Sequence, residues 1–209
     1  RMAKAYNKTK HFQTGEETHP EKAFVETLQI AKKQNVSLLI LAGDIFSSPS
    51  EAAITFVMDE LQKVGIPYLF TAGNHDWHYE GMTGSSDYLR ETWIKKRLTP
   101  LYQGENPLYA VRKINGIRII TIDNSTYEIK EEQLTFFKEQ IAIDEPILLC
   151  VHIPFYVQGR GLGFGCAHPE WNGKNDKNFT LERREKWSES GHSIHTLSFY
   201  SLVKTSNNI

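Results

Sequence analysis

The sequence has little of what would indicate a disulfide scaffold, a membrane span or a nucleic-acid-binding surface. Only two cysteines, Cys150 and Cys166, occur in 209 residues, so they form at most one bridge or remain two free thiols. Cys150 lies within an apolar run, which indicates inert core packing. No apolar run approaches the roughly 20 residues of a membrane-spanning helix. The net charge of −1 leaves no basic excess for binding nucleic acid.

The composition is that of an ordinary globular protein and suits a single domain over residues 1–209. Apolar residues make up 40 % and charged residues 23 % of the chain, and a chain of this length buries a sizeable core. It begins at Arg1 and stops at Ile209, directly after what reads as the last turn of a helix, so we expect it to be trimmed at both ends. No signal peptide is visible. This favours the cytoplasm, but without the native N-terminus it does not determine the location. No obligate protein partner is evident.

The first half of the chain alternates predicted helices and strands. A polar segment, residues 1–19, is followed by Pro20, which predicts the start of a helix, and Ser50 predicts the cap of a second helix. The continuous apolar run in VSLLILAGD (36–44) predicts a buried strand, and IPYLFTAGNHD (66–76) predicts the next one. Short joints between such elements indicate parallel strands with right-handed crossovers. Ligands of such sheets bind at the carboxyl ends of the strands.

The second half continues with a helix, a hairpin, another helix and a last buried strand. We expect the helices at 85–97 and 130–140, and Asn115-Gly116 predicts the tight turn of the hairpin. The last strand is PILLCVHIP. Residues 156–187 then form a long insertion with little periodicity, which is typical of a lid or a binding loop. Candidate substrate contacts in this insertion are Arg160, His168, Trp171 and Lys174.

Polar side chains follow three of these predicted strands. Asp44 ends the first, Asn74, His75 and Asp76 end the second, and His152 ends the last. Asp and Asn oxygens and the His nitrogen suit hard or borderline divalent metal ions. Two ions about 4 Å apart can clamp the attacking and leaving oxygens of a phosphoryl displacement, and Asp44 has an oxygen for each. His75 could donate to a phosphate oxygen or protonate the leaving group, with Asp76 holding its imidazole in the needed tautomer.

Each of these residues also has a plainer interpretation. Asp44 and Asn74 both suit a turn, and His75 could be a partly buried histidine with a structural partner. Near the second motif, His78 reads as a rim or loop residue, and Trp77 as either a pocket wall or a side chain packed under the loop.

Further residues outside these motifs have local interpretations. His192 and His195 read as the cap or beginning of a helix, with a ligand role as the less favoured alternative. Glycosylation-type triplets, which matter only in a secreted eukaryotic protein, begin at Asn7, Asn35, Asn124 and Asn178.

The motifs AGD, AGNHD and VHIP, in this order and at these strand ends, resemble those of the calcineurin-like metallophosphoesterase superfamily. The resemblance implies an α/β fold, a four-layer α-β-β-α sandwich of two mixed sheets, and hydrolysis of a phosphate mono- or diester by a metal-bound hydroxide. It implies two divalent ions (manganese, iron or zinc), with Asp44 bridging both and Asn74 and His152 ligating one. His75 would contact the phosphate, with Asp76 orienting it. The insertion suggests a small organophosphate as the substrate.

The chain also departs from the pattern of that family. The family begins with Asp-x-His at the end of its first strand, and no such strand precedes Asp44 here. It closes with Gly-His-x-His, where this chain has GHSIHT (191–196), with one residue too many between the histidines. We therefore expect half a site within this chain. Two alternatives stay open: a catalytically inert binding or scaffolding module, and a mononuclear hydrolase that uses Asp44, Asn74 and His152 around one ion.

Overall fold

A computed structural model describes Lys10 and residues 14–79, 81–154 and 192–209. All the predicted metal ligands and both predicted catalytic residues lie in these ranges. The predicted insertion (156–187) lies outside them, and so do its candidate substrate contacts and Cys166. The free thiol of Cys150 is half-buried, and burial raises its pKa.

The first half of the chain builds a parallel two-stranded sheet with helices packed on it. Its local signals act as predicted: His19 precedes the first helix and Pro20 begins it, while Ser50 Oγ accepts the N–H of Ala53 at the start of the second. Gly65 ends that helix in the left-handed region, at φ 70°. The elements are α1 (Pro20–Lys33), β1 (Leu39–Leu41), α2 (Glu51–Val64), β2 (Tyr68–Phe70) and α3 (Ser86–Trp93).

Each strand of this sheet is shorter than its apolar run predicted, because the chain turns towards the site directly after Leu41 and Phe70. The predicted helix at 85–97 begins as expected, with Ser85 as its cap. After α3 it continues as a π-helical turn and a 3₁₀ turn. These two turns span Ile94–Leu98 and Thr99–Tyr102.

The second half builds a mixed sheet of three strands. A hairpin joins the first two strands through Asn115 and Gly116, both at positive φ (51° and 82°), as a two-residue type I′ turn requires. The third strand runs parallel to the second. The elements are β3 (Tyr109–Ile114), β4 (Ile117–Ile122), α4 (Glu131–Ile141), β5 (Ile147–Cys150) and α5 (Ile194–Thr205).

Each sheet has its own apolar core. In the first, Leu41 and Phe70 from the strands pack with Ile54 and Leu61 of α2. In the second, Ile120 and Ile122 of β4, Phe137 of α4 and Phe199 of α5 are buried together. The fold is therefore the α/β arrangement of two sheets with flanking helices that the sequence predicts. In the residues described here, no helix combines the length and the apolar character needed to cross a membrane.

Candidate metal centre

The structure brings three predicted ligands together at one edge of the first sheet. Because β1 and β2 are parallel, the loops that carry Asp44 and Asn74 leave the sheet at the same edge. His152 reaches this place from the other sheet, two residues beyond the end of β5. Its side chain is 14 % exposed, against 35 % for that of Asp44.

The ring of His152 faces two side-chain oxygens. Its Nε2 lies 3.3 Å from Oδ1 of Asp44 and 3.3 Å from Oδ1 of Asn74. Its Nδ1 lies 2.9 Å from the carbonyl oxygen of Ala42, so the proton on Nδ1 is donated to that carbonyl. In neutral His152 the lone pair of Nε2 therefore points at two acceptor oxygens, and a cation between the three atoms removes their repulsion.

This arrangement fits a divalent ion. Ligand atoms about 2.1 Å from one ion lie roughly 3.0–3.4 Å from each other in octahedral or tetrahedral geometry, which matches both distances from Nε2. Metal-ligating histidines usually donate their other ring N–H to a carbonyl or carboxylate, as His152 does to Ala42. The set of one carboxylate, one amide and one imidazole leaves further coordination positions open.

Asp44 and His152 stabilise each other's charged forms. Burial alone would raise the pKa of Asp44, but the hydrogen bond and charge of His152, together with the N–H of His75, lower it. Burial alone would lower the pKa of His152, but the hydrogen bond and charge of Asp44 raise it, with a contribution from the Ala42 carbonyl. The shift in each pKa therefore comes mainly from the contact between the two side chains.

Glycine precedes both Asp44 and Asn74 because the two loops touch backbone to backbone. A Cβ on Gly43 would lie 2.5 Å from the amide nitrogen of Gly73 and 2.5 Å from Nδ1 of His152. A Cβ on Gly73 would overlap the backbone and carboxylate of Asp44. Asp44 itself is held at φ 54°, a conformation that is uncommon for a residue with a side chain and frequent at functional sites.

Asp76 ties these two loops together. It has no exposed surface, and its Oδ2 accepts the N–H of Gly73 (2.7 Å) and of Asp44 (3.0 Å). Its Oδ1 accepts the N–H of Phe46 at 2.8 Å. Burial raises the pKa of Asp76 to about 7, opposed by the N–H donors of Gly73 and Phe46. This bracing of the loops was missed by sequence reasoning, and the predicted catalytic role of Asp76, to orient His75, stays a prediction.

His75 is half-buried beside the three ligands. Its backbone N–H donates to Oδ1 of Asp44 at 2.9 Å, and its charge lowers the pKa of Asp44. The residue is therefore adjacent to the predicted metal ligand, as its position in AGNHD implies. The predicted contact of its imidazole with a phosphate stays a prediction.

The neighbouring aromatic residue is structural. Trp77 is 3 % exposed and belongs to the first core, and its indole Nε1 donates to Oγ of Ser125 at 2.9 Å. Of its two predicted roles, packing under the loop is therefore correct. His78 is half-buried, with its ring 6.1 Å from that of Trp77.

GHSIHT leads into a helix, as predicted. Ser193 caps α5, and His192 lies 3.3 Å from the carboxylate of Glu128. The same carboxylate accepts the N–H of Ser193 and the hydroxyl of Thr196. Within the ranges that the structure describes, no three or more His, Cys, Asp or Glu side chains are grouped as a metal site, so the cluster consists of Asp44 and His152 with the amide of Asn74.

Sequence reasoning also missed the polar residues directly after β4, Asp123-Asn124-Ser125. All three are buried. Ser125 bonds to Trp77, which follows the AGNHD motif, and Asn124 bonds to the backbone of His152 and Ile153. The available signal was the same as for the other motifs, namely a polar triplet at the end of an apolar strand. Asn124 is 6 % exposed, which is unsuited to the glycosylation that its triplet would allow in a secreted protein.

Known proteins resemble this chain in sequence and in fold. A model of the calcineurin-like phosphoesterase family matches residues 17–193. A protein of Moraxella catarrhalis (strain BBH18), named as a probable cyclic nucleotide phosphodiesterase, is 39 % identical over 57 residues. That match covers 27 % of this chain and 21 % of the relative.

The fold has a counterpart among solved structures. The structure of a dimetal phosphatase from Danio rerio superposes with a TM-score of 0.50 at 12 % identity. The match covers 71 % of this chain and 65 % of that protein. At this identity the likeness concerns the fold. The chain thus spans about two thirds of this structure and about one fifth of the curated relative.

Proposed function

The chain belongs to the calcineurin-like phosphoesterase family, and from this premise we propose that it takes part in the metal-dependent hydrolysis of a phosphate mono- or diester. The observation that carries the proposal is the convergence of Asp44 Oδ1, Asn74 Oδ1 and His152 Nε2. A divalent ion held there would polarise the ester and activate water for attack on phosphorus.

The residues of this chain have separate tasks in that reaction. Asp44, Asn74 and His152 would hold the ion, and the carboxylate of Asp44 is the group suited to share a second one. His75 would donate a hydrogen bond to a phosphate oxygen or protonate the leaving oxygen. Asp76 keeps the loops of Asp44 and Gly73 in contact through its backbone hydrogen bonds.

The proposal also includes the number and kind of the metal ions and the class of substrate. We propose two ions of manganese, iron or zinc, with the remaining ligands supplied by residues beyond the described cluster, and a small organophosphate as substrate. The curated relative is named as a probable phosphodiesterase and the similar fold as a phosphatase, so the proposal includes both diesters and monoesters. The alternative, an inert binding module with this fold, predicts a folded protein without bound metal.

The test combines metal content with hydrolysis of aryl phosphates. Elemental analysis of the protein after loading with Mn²⁺ is paired with turnover of p-nitrophenyl phosphate and bis-p-nitrophenyl phosphate. We expect bound metal and turnover in the wild type, and loss of about 100-fold or more in turnover for Asn74→Ala. Asn106, an exposed turn residue whose Oδ1 accepts the N–H of Leu108, supplies the control Asn106→Ala, which should retain both.

The stoichiometry separates the remaining alternatives. Near two ions per chain supports the dinuclear centre, and one ion supports the mononuclear hydrolase. A folded protein that binds no Mn²⁺ and hydrolyses neither ester contradicts the proposal and leaves the binding module.

A further inference from the structure

The side chain of Asn124 is hydrogen-bonded to the backbone of His152 and Ile153. Its Oδ1 accepts the N–H of His152 at 3.1 Å and the N–H of Ile153 at 2.8 Å. Its Nδ2 donates to the carbonyl oxygen of Ile153 at 2.8 Å. Asn124 comes from the end of β4, so the bonds connect two segments that are 28 and 29 residues apart.

These bonds begin where the sheet ends. The parallel pairing of β4 with β5 extends to Thr121 and Cys150, and His152 lies two residues further on. There the amide oxygen of Asn124 accepts the backbone N–H groups of His152 and Ile153. The side-chain amide of Asn124 therefore supplies the hydrogen bonds that a paired strand would supply. These bonds fix the Cα of His152 relative to β4.

The ring of His152 is held on its Nδ1 side by the residues directly after β1. Nδ1 bonds to the carbonyl of Ala42 at 2.9 Å, and Gly43 lies so close that a Cβ there would approach Nδ1 to 2.5 Å. With the ring confined in this way, a shift of the His152 backbone moves Nε2 away from Asp44 and Asn74. Moving a group by about 1 Å within such a site can cost on the order of 100-fold in reaction rate.

Asn124 is itself rigidly held. Its neighbour Asp123 forms a buried ion pair with Arg90 of α3, and the carbonyl of Asp123 accepts a bond from the fully buried side chain of Gln133 at 2.6 Å. On the other side, Ser125 accepts the indole N–H of Trp77. Because Trp77 directly follows Asp76, the same short segment contacts both the loop that carries Asn74 and the loop that carries His152.

We propose that Asn124 is a positioning residue for the metal centre, which sets His152 at the distance from Asp44 and Asn74 that a divalent ion requires. The inference rests on the proposed function in one respect, namely that His152 ligates the metal. Its action is through the backbone of His152 and Ile153, with no contact to metal or substrate.

The test measures Mn²⁺ affinity of the metal-stripped protein by isothermal titration calorimetry. Asn124→Leu keeps the approximate volume and removes all the bonds. Loss of partners that orient a metal ligand typically weakens metal affinity about 10–100-fold, and we expect a loss of that size. Asn124→Asp keeps an acceptor for both N–H groups but places a carboxylate oxygen against the carbonyl of Ile153, so we expect it to recover only part of the affinity.

The chain offers a matched control in Asn208. Its Nδ2 lies within hydrogen-bonding distance of the carbonyls of Ile141, Ile143 and Glu145, so it braces the other end of β5 in a similar way but away from the site. Asn208→Leu should leave Mn²⁺ affinity unchanged. If Asn124→Leu does not fold, Asn124→Ser takes its place. A single short hydroxyl cannot make all three bonds of the amide, and a several-fold loss of affinity is expected.

Two results would overturn the proposal: wild-type affinity in the folded Asn124→Leu or Asn124→Ser protein, or an equal loss in Asn208→Leu. His152→Ala, measured in the same assay, separates this failure from that of the proposed function. If His152→Ala binds Mn²⁺ as tightly as the wild type, His152 is no ligand, and both proposals fall. If it loses affinity while the Asn124 variants keep theirs, only the positioning role falls.

Discussion

At the scale of single residues, Asp76 shows how one buried side chain can fix the geometry of a site through the backbone of its loops. Its carboxylate is fully buried, and it accepts backbone N–H groups from Asp44, Phe46 and Gly73. These N–H groups belong to loops that do not pair with each other through a sheet ladder. Without this acceptor the N–H groups of Phe46 and Gly73 would be buried and unsatisfied, and each such group costs about 1–3 kcal/mol.

We therefore predict that Asp76→Ala lowers the free energy of unfolding by about 3 kcal/mol, because two buried N–H donors and one part-buried donor lose their acceptor together. Urea denaturation followed by circular dichroism measures the change. The control is Asp144→Ala, at an exposed aspartate, which should have little effect. A loss for Asp76→Ala no larger than that of the control would contradict the bracing role.

At the scale of elements, the beginning of α5 depends on a carboxylate from a distant segment. Glu128 accepts the N–H of Ser193 at 3.1 Å and the hydroxyl of Thr196 at 2.5 Å. Burial alone would raise the pKa of Glu128, but the bonds from Thr196 and Ser193, and then from His192, lower it. A negative charge at the N-terminus of a helix is also favoured by the helix dipole.

This arrangement predicts a pH-dependent contribution to stability. Because the pKa of Glu128 in the folded protein lies below its ordinary value of 4.5, the contribution is present above pH 4.5 and is lost as the pH falls through the lowered folded value. Glu128→Gln should therefore lower the melting temperature by about 2 °C at pH 7, and the difference should shrink below pH 4.5.

Thermal denaturation of both proteins at pH 7, 5 and 3.5 measures this difference. Glu139→Gln, at an exposed position of α4, is the control and should match the wild type at pH 7. A difference between Glu128→Gln and the wild type that stays constant down to pH 3.5 would contradict the role assigned to the ionised carboxylate.

At the scale of the whole molecule, two apolar cores are joined by polar contacts that also shape the site. Arg90 of α3 donates through Nε and Nη2 to Oδ2 of Asp123 (2.7 and 2.5 Å), and Nη2 also reaches the carbonyl of Pro107 at 3.0 Å. Both side chains are nearly inaccessible, at 6 % and 1 % exposure. With the bond from Trp77 to Ser125, this pair connects the helix side of the first sheet to the end of β4. We propose on this basis that the chain is a single domain.

We predict that Arg90→Met costs about 3–5 kcal/mol of unfolding free energy, because it leaves the carboxylate of Asp123 buried without its cation. Guanidinium chloride denaturation, followed by fluorescence and by circular dichroism, measures this loss and shows whether one transition remains. Lys22→Met breaks the exposed pair of Lys22 and Glu26 (3.7 Å) and should cost no more than about 1 kcal/mol. Equal effects of the two substitutions would contradict the connecting role of Arg90.

The sequence by itself determined the order of the elements and the types of side chain that follow the strands at the site. Pro20, Ser50, Gly65 and Asn115-Gly116 act on the backbone next to them, so their effect is readable without knowledge of the rest of the fold. The meeting of Asp44 and Asn74 was also predictable, because parallel strands with short crossovers bring their carboxyl ends to one edge. The family motifs rest on these local facts and on the spacing between them.

Only the tertiary structure decided how Asp44, Asn74 and His152 are held. The bond of His152 to Ala42 spans 110 residues, and those of Asp76 to Phe46 and of Asn124 to Ile153 span 30 and 29. In each case a side chain of one segment satisfies the backbone of another, and nothing in the local pattern of either segment specifies the partner. Such bonds depend on distances within a few tenths of an ångström, and those distances exist only once both sheets have packed.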